Sequence, residues 1–400
     1  MAALLTMALS MLTVMVPLYA TALGLGAESI GILIALPGVF PVLLGFQAGR
    51  WVDLVGPPRM LFTSMTFMSA APLSLILLPG VLALVVSRLM VGFVQLFVTL
   101  ASQSLIADLN NNRSHAYNFA AYSTLLALGR MIGPVFVGFI IDHYGFRPSF
   151  WAVLVVLILS IAVSYFVMLG ARSSKTEAGG AADVVTRVPV RKVFGNVGFQ
   201  MGVLASSGIF LALTMREAFL PVMLEEMGMS ATLIGSLVSL GSLTAVLIRP
   251  LLPLVNRLLR GTARSLVVSM ASVVVGVGLL SVASSVPFFG VLAVIAGFGS
   301  GLGFPLSIVS VTTHVTPRER ATALSLRLTS SHLVEMIAPV AGGLLVAATN
   351  YRVGFAAAGI VLAALTLVGV GRIKPFEAEE RAGPPLGGPV AQQVRPQPPR

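Results

Sequence analysis

Residues 148–169 read PSFWAVLVVLILSIAVSYFVML, a run of 22 residues without a charged side chain. A helix needs roughly 20 apolar residues to cross the hydrocarbon core of a bilayer, which is about 30 Å thick. This run therefore predicts a membrane-spanning helix, and it sets the pattern with which the rest of the chain is compared.

The composition extends this prediction to the whole chain. Of 400 residues, 56% are hydrophobic and only 10% are charged, with a mean hydropathy of +0.97. Soluble domains carry about 25% charged residues, so water could not solvate this surface. The composition excludes a water-soluble enzyme and indicates a protein whose main partner is the lipid bilayer.

Twelve apolar runs of this kind follow one another along the chain. They lie near residues 2–22, 28–50, 58–78, 81–107, 115–141, 148–169, 197–222, 231–255, 263–283, 287–312, 319–347 and 351–371. The first run is longer than the apolar region of a typical signal peptide, and no basic segment precedes it. We therefore expect it to be retained as a span.

The spans divide into two groups of six. A hydrophilic stretch, 170–196, separates them, and the sequence after the last span is rich in Pro, Gly and Gln. We predict an all-α membrane protein with 12 transmembrane helices in two pseudo-symmetric six-helix bundles. The bundles are expected at 1–169 and 197–371, with a cytoplasmic linker at 170–196 and a disordered cytoplasmic tail at 372–400.

The positive charge is distributed unevenly over the two sides of these spans. Eighteen of the 25 Lys and Arg residues lie in predicted cytoplasmic loops and the tail, five lie within spans, and only Arg147 and Arg352 lie outside. This asymmetry follows the positive-inside rule and predicts cytoplasmic termini in a plasma or bacterial inner membrane. It accounts for the net charge of +11 without a nucleic-acid partner. The absence of Cys excludes disulfides, thiolate zinc sites and Cys nucleophiles.

The two halves repeat each other in register. Offsets of 204 and 205 residues align helix-shaping residues that chance pairs less readily than Leu or Ile. The pairs include Pro17 with Pro221, Gly31 with Gly235, Gly92 with Gly297, Pro134 with Pro339, Gly138 with Gly343, and Arg147 with Arg352. A duplicated six-helix unit in parallel orientation is typical of transporters whose halves rock about a central site.

Seven charged side chains and one His lie inside spans: Arg88, Arg130, Arg216, Glu217, Arg249, Arg327, Glu335 and His332. A central charge costs about 2.5–3.5 kcal/mol on insertion scales, so seven unpaired charges would approach about 20 kcal/mol. They must face a wet cavity or one another. Arg249 and Arg327 lie near span ends, where they could instead reach the cytoplasmic interface.

Polar side chains form stripes at helical spacing. Thr6, Ser10, Thr13 and Pro17 mark one face of span one, and the repeat maps this face onto Phe210, Thr214, Glu217 and Pro221. Span four carries Arg88, Gln95, Thr99 and Ser102, with Ala293, Ser300, Phe304 and Ser307 as counterparts in span ten. Glu217 therefore falls on the face that both halves turn inward, whereas Arg216 points about 100° away.

Two carboxylates are candidates for proton coupling. Glu217, in a partly dry cavity, could load and release protons near neutral pH; the alternative is a fixed ion pair with an Arg such as Arg88. Glu335 lies within reach of His332 at i+3, as a proton relay or as a local structural cluster, and the repeat places it opposite Arg130. No two His residues share a helical face, so no metal site and no cofactor are expected.

Three motifs carry a family resemblance. They are GRWVDLVGPPR at 49–59, RLMVGFV at 88–94 and GRMIGPVFVG at 129–138. The pattern resembles the major facilitator superfamily over nearly the whole chain. The third motif resembles the signature of its drug/proton antiporters, with Phe139 in place of the last Gly. The resemblance implies that spans one, four, seven and ten line a central cavity, that the substrate is a small molecule, and that the protein is a monomer.

The first motif is the candidate inner gate. Gly49 and Gly56 would permit a tight turn between spans two and three. The resemblance implies that Asp53 faces the N-terminus of span eleven near Glu319, where the helix dipole stabilises a carboxylate by about 0.3–1 kcal/mol. Arg59 and Asp108 complete the predicted gating group. Leu54 stands at the family's second Arg, which removes one member of its charge relay. The alternative is a polar turn without a gating role.

The third motif has its own physical interpretation. Gly129 and Gly133 form a small-xxx-small face that lets helices approach closely, and Pro134 can bend span five. We assign the three residues to gating, with packing alone as the alternative. The Gly residues at 297, 299, 301 and 303 follow no strand, so they indicate helix packing or bending rather than a nucleotide loop.

These features favour a proton-coupled exporter of a small lipophilic or organic compound that works by alternating access. The predicted substrate cavity contains Thr13, Arg88, Gln95, Thr99, Arg130, Thr214, Arg216 and Ser300. The alternative is transport of an anionic metabolite held by Arg88 and Arg130, because guanidinium groups bind carboxylates and phosphates at two points. The third hypothesis is a membrane receptor or enzyme without transport. The absence of any arrangement of residues typical of a protease or hydrolase disfavours it.

Overall fold

The computed structural model of the chain describes residues 1–108, 115–172, 193–316 and 319–382. Throughout these ranges the regular structure is helical. The α-helices are Ala2–Ala22, Ala27–Ala35, Val39–Val55, Pro57–Met68, Ala70–Leu77, Gly80–Asp108, His115–Tyr144, Phe146–Arg172, Val197–Glu226, Ala231–Ile248, Leu252–Leu258, Thr262–Gly278, Val286–His314, Arg320–Ala348 and Tyr351–Ala382. Short 3-10 turns occur at Leu36–Gly38, Arg249–Leu251 and Leu279–Ser281.

These helices make up twelve segments that are long and apolar enough to cross a membrane. They are Ala2–Ala22, Ala27–Gly45, Pro57–Leu77, Gly80–Ser102, Thr124–Tyr144, Phe146–Leu169, Val197–Glu226, Ala231–Leu258, Thr262–Ser281, Val286–His314, Thr322–Ala348 and Tyr351–Glu380, numbered below as spans one to twelve. Spans one to six are called the N-terminal bundle and spans seven to twelve the C-terminal bundle. The predicted fold class is confirmed.

Proline breaks two spans. Pro37 lies in the 3-10 turn that interrupts span two, and Pro250 lies in the turn that interrupts span eight. Proline has no backbone N–H and its ring crowds the preceding turn, which favours a 3-10 turn at these two sites, although the helices that contain Pro17, Pro134, Pro221 and Pro339 continue through them.

Two predictions about local structure are wrong. Gly49 lies inside the helix Val39–Val55, so the turn between spans two and three is made by Gly56 alone, whose φ of 89° suits glycine. The last helix continues to Ala382, so residues 372–382 of the predicted tail are helical. Phe376 anchors this extension, because its ring is buried 4.2 Å from the His314 ring. Residues 173–192 of the predicted linker and 383–400 of the predicted tail lie outside the described ranges.

The bundles meet through contacts that obey the sequence repeat. Gly31 of span two packs against the carbonyl of Pro339 in span eleven, and Gly235 of span eight packs against the carbonyl of Pro134 in span five. Since the repeat pairs Gly31 with Gly235 and Pro134 with Pro339, the two contacts are equivalent by twofold rotation. A Cβ at either glycine would overlap the opposing backbone. The predicted pseudo-symmetry is therefore present in the packing.

Candidate functional site

Arg88 is held by a carbonyl that a proline leaves free. The Arg88 Nε donates to the Leu33 carbonyl at 3.2 Å, and the side chain is only 7% exposed. In an unbroken helix this carbonyl would accept from residue 37, but Pro37 has no N–H. Gly92, one turn further, lets span four approach the Pro37 backbone directly. The second motif thus fixes a guanidinium group between spans two and four.

Glu217 lies among charges from both bundles. Arg130, Arg88 and Arg216 are near enough to attract its carboxylate, and Glu335 is near enough to repel it. Arg130 and Arg88 belong to the N-terminal bundle, whereas Glu335 and Glu217 itself belong to the C-terminal bundle. The sequence predicted that the charges inside the spans would face a wet cavity or one another, and the role of these residues in coupling stays a prediction. We call Arg88, Arg130, Glu217 and Glu335 the charge cluster.

Glu335 is paired with His332 on its own helix. The His332 Nδ1 lies 2.9 Å from the Glu335 Oε2, and both side chains are partly exposed. The next residue along, Met336, packs against Gly38 of span two, so this turn of span eleven lies at the junction of the bundles. The predicted i+3 contact is present. Among the described residues, no group of three His, Asp or Glu side chains is placed to hold a metal ion.

Proline follows four of the predicted site residues at the same spacing. Thr13, Arg130, Glu217 and Glu335 each stand four residues before a helix-internal proline, at positions 17, 134, 221 and 339. Each proline removes the N–H that would bind the carbonyl of the earlier residue. The backbone carbonyls of these four residues, two in each bundle, therefore lack their usual helical hydrogen-bond donor.

The polar stripe of span one faces span five, contrary to the expectation of a shared cavity face. The Ser10 hydroxyl donates to the Gly129 carbonyl at 3.0 Å, and Cβ atoms at Gly129 and Gly133 would overlap Thr6 and Ser10 respectively. Small residues in one helix and short hydroxyl side chains in the other allow this close approach. Gly129 and Gly133 therefore pack spans one and five together, which supports the packing interpretation of the third motif.

The other predicted cavity residues divide by exposure. Gln95 and Thr99 are exposed on span four. The hydroxyls of Thr13, Thr214 and Ser300 all donate to carbonyls of their own helices. Because these three hydroxyls already donate within their own helices, they are not available to donate a hydrogen bond to a substrate. Gln95, Thr99 and Arg130 are the exposed polar side chains of the predicted set.

Arg216 does not share the face of Glu217. Its guanidinium lies against Gly241 of span eight and lines a small cavity inside the C-terminal bundle with Leu237 and Phe289. The rotation of about 100° between consecutive helical residues explains this direction. The prediction that Arg216 lines the substrate cavity is therefore wrong in this conformer.

Arg327 and Arg249 were the two arginines that could have reached the cytoplasmic interface. Arg327 is only 4% exposed; its Nη1 donates to the Ser307 hydroxyl at 3.0 Å, and its guanidinium lies 5.5 Å from the Phe304 ring centre. It is a packed residue of the C-terminal bundle rather than an interfacial one. Arg249 lies in the 3-10 turn that interrupts span eight, where it is half-buried.

The predicted inner gate is described only in part. Gly56 makes the turn, and Arg59 is exposed one turn into span three. The side chains of Asp53 and Asp108 lie outside the described part of the structure, so their gating role stays a prediction. At the start of span eleven, the buried Glu319 carboxylate accepts from the Thr316 N–H at 3.1 Å.

A residue that the sequence prediction missed joins the bundles at the other end. Asp142, at the end of span five, accepts hydrogen bonds from the Ala231 N–H at 2.8 Å, the Thr232 N–H at 2.7 Å and the Thr232 hydroxyl. It thereby accepts from the free N–H groups at the N-terminus of span eight, next to the N-cap residue Ser230, where a negative charge is favourable. An Asp just before a loop gives no signal in sequence, because the partner helix is 89 residues away.

Replacing Asp142 by Ala should weaken the contact between the bundles at this end. Loss of an N-cap costs about 0.5–2 kcal/mol, which corresponds to a shift of about 2- to 30-fold toward separated ends. Asn keeps one acceptor oxygen and should shift the equilibrium less. Spin labels on Cys residues introduced at Tyr144 and Met227, in a chain without native Cys, would measure the separation. Identical distance distributions in all three proteins would contradict this role.

The chain is similar in sequence to one protein family and to several of its curated members. The model of the Major Facilitator Superfamily matches residues 1–261 and 218–396. Multidrug resistance protein 1 of Bacillus subtilis (strain 168) is 25% identical over 139 residues, 35% of this chain and 36% of that protein. Multidrug resistance protein MdtG of Salmonella arizonae is 24% identical over 164 residues, 40% of each. The match thus spans about two fifths of the length of these relatives.

Solved structures share the fold at low identity. A POT family transporter in complex with 5-aminolevulinic acid superposes with a TM-score of 0.72 at 12% identity, covering 94% of this chain and 95% of the other. A bacterial homolog of the human lysosomal transporter Spinster, in an inward-facing and unoccupied conformation, gives 0.70 at 15% identity, with coverages of 96% and 95%. Both likenesses extend over nearly the whole of each chain.

Proposed function

Because the chain belongs to the Major Facilitator Superfamily, we propose that it is a secondary transporter in which proton entry drives the efflux of small lipophilic or organic compounds. The family and the solved transporters of the same fold indicate a transporter rather than an enzyme. The observation that carries the proposal is the position of Glu217, a carboxylate on one bundle within electrostatic range of arginines on the other.

The charge cluster can couple protonation to movement. An ionised Glu217 attracts Arg130 and Arg88 across the junction and so favours the arrangement in which the bundles hold these groups together. A proton on Glu217 removes that attraction and leaves the arginines free to bind another group or to move away. Two conformers that differ in this attraction are what alternating access requires.

Glu335 and His332 assist in this proposal. Their contact at 2.9 Å lies on span eleven near the junction of the bundles and within electrostatic range of Glu217. A His beside a carboxylate can pass a proton between water and a second carboxylate. We assign this pair the delivery or removal of the proton that Glu217 binds.

The reciprocal glycine contacts form the outer gate. Residues 27–31 with 339–343, and 134–142 with 231–235, bring the bundles together at the end that the positive-inside rule assigns to the outside. This conformer therefore closes the outer end. Each copy of the chain contains both bundles and the complete cluster, so the proposal requires only a monomer in the cell membrane.

The relatives named multidrug resistance proteins support the efflux of drug-like compounds in this proposal. The test is transport in liposomes that contain the purified protein and a fluorescent lipophilic cation. We expect dye movement against its gradient when a pH gradient is imposed, with opposite proton movement reported by a pH-sensitive dye in the lumen. Collapse of the pH gradient should stop both. Dye movement that continues without proton movement would contradict the coupling.

A second candidate function is transport of an anionic metabolite. The observation that favours it is that five arginines and only two carboxylates lie within the predicted spans, so that Arg88 and Arg130 could hold an anionic group. Thermal unfolding of the purified protein in the presence of a set of organic acids distinguishes the two functions. Stabilisation that is lost in Arg130→Gln would favour anion transport, and no stabilisation by any acid would exclude it.

A further inference from the structure

A groove runs along the surface between spans five and eight. It has a volume of about 600 Å³ and is lined by apolar side chains of span five, including Ile132, Phe136 and Phe139, and by Leu240 and Leu243 of span eight. The side chains of Ile132, Phe136 and Phe139 are exposed on this surface. In a chain whose spans cross a bilayer, such an apolar surface lies against lipid. A volume of this size fits the pockets that bind drug-sized molecules.

One polar atom in the groove has no partner. Ser239 lines the groove, is 5% exposed, and its hydroxyl makes no hydrogen bond. The neighbouring Ser236 differs, because its hydroxyl donates to the Thr232 carbonyl at 2.8 Å. A buried hydroxyl without a partner is costly, and in native structures such groups are few. The orphan hydroxyl therefore points to a ligand that supplies the missing hydrogen bond.

The depth of Ser239 distinguishes a ligand from a bilayer lipid. It lies eight residues after Ala231, which corresponds to about 12 Å along the helix from the outer end of span eight. The hydrocarbon core extends about 15 Å from its surface to its centre. Acyl chains at that depth offer no hydrogen-bonding group, because the ester groups of a phospholipid lie at the interface. The missing partner must belong to a molecule with a polar group inside an apolar body.

We propose that the groove between spans five and eight binds lipophilic substrates directly from the bilayer, and that Ser239 selects those with a hydrogen-bonding group. The groove has no charged lining residue, so the bound part of the substrate is neutral. This inference rests on the proposed efflux function and names its substrate class. The groove adjoins the close contact between Pro134 and Gly235 in the outer gate. A molecule in the groove would therefore lie against the junction of spans five and eight, where the bundles separate when the gate opens.

The test uses two photoactivated labels that differ by one group: 3-trifluoromethyl-3-phenyldiazirine and its 4-hydroxymethyl derivative. The protein is labelled in liposomes, and labelling of residues 131–139 is divided by that of the exposed side chains Val155, Ile158 and Leu159 on span six. We expect the hydroxymethyl label to exceed the parent label at 131–139 by about fivefold, the ratio that one hydrogen bond supports. In Ser239→Ala this ratio should fall to one, while labelling by the parent compound stays the same.

A matched pair of Val→Trp variants tests the volume of the groove. Val135 lines it, whereas Val275 is exposed on span nine and belongs neither to the groove nor to the outer gate. Val135→Trp should fill the groove and lower both the labelling of residues 131–139 and proton-driven efflux, whereas Val275→Trp should preserve both. Both variants must be folded, as shown by wild-type elution on size exclusion.

The outcomes separate the two proposals. Equal labelling by the two compounds in wild type, or no effect of Ser239→Ala, overturns the inference about the groove even if proton-driven efflux is intact. Equal effects of the two Trp variants also overturn it. Absence of proton-driven efflux in the wild type contradicts the proposed function, while the labelling ratio still reports the groove.

Discussion

Replacing Glu217 by Gln should abolish efflux driven by a pH gradient, with a loss of at least about 100-fold in the initial rate. The substitution keeps the size of the side chain and removes the charge that attracts Arg130 and Arg88 across the junction. Coupling free energies between two sites of a protein reach about 3 kcal/mol, which corresponds to a factor of this size. The measurement is dye efflux from liposomes with and without the imposed gradient.

A matched control separates coupling from folding. Glu226→Gln makes the same change on the same helix, at an exposed position near the end of span seven. It should retain wild-type efflux. In Glu217→Gln we further expect exchange of dye between the two sides without a gradient, because substrate binding and rocking do not themselves need the proton. Gradient-driven efflux at the wild-type rate in Glu217→Gln would remove this residue from the mechanism.

Replacing Gly235 by Ala should prevent the outer end from closing. The added Cβ would overlap the carbonyl of Pro134, and both atoms are held by backbone. Overpacking of this kind costs about 1–3 kcal/mol, so the outer-closed conformer should lose about 5- to 150-fold in population. Efflux should fall by a similar factor, since each cycle must pass through that conformer. Spin labels at Tyr144→Cys and Met227→Cys would show the shift as longer distances.

The repeat supplies the comparison for this prediction. Gly31→Ala places a Cβ against the Pro339 carbonyl in the equivalent contact and should have the same effect. Gly45→Ala, also in span two, meets no atom within 4 Å and should leave efflux unchanged. An effect of Gly45→Ala as large as that of Gly235→Ala would mean that helix propensity rather than the contact between bundles is responsible.

The fold could be predicted because a bilayer sets a simple rule for sequence. Each span needs about 20 apolar residues, and runs such as 148–169 meet that rule without reference to the rest of the chain. The end of the last helix could not be predicted this way. Residues 372–382 are polar enough to resemble a tail, and they are helical with Phe376 buried against the His314 ring, a contact distant in sequence.

The sequence could indicate candidate residues of the site, but it could not indicate which other residues each of them contacts. The cost of burying charge identified Arg88 and Glu217, and the family resemblance placed spans four and seven around one cavity. Helical spacing found the stripe of Thr6 and Ser10 but could not say which helix it faces. Asp142 gave no signal, because its role depends on the distance between spans five and eight.

The central claim is that the two bundles rock about the charge cluster and expose it to each side in turn. Double electron–electron resonance tests it with two label pairs in lipid nanodiscs: Tyr144→Cys with Met227→Cys at one end, and Leu54→Cys with Leu258→Cys at the other. We predict two populations for each pair, in which longer distances at one end accompany shorter distances at the other, and whose balance changes between acidic and neutral pH. In Glu217→Gln the balance should no longer respond to pH. Distances at the two ends that stay fixed, or that lengthen together, would contradict the account.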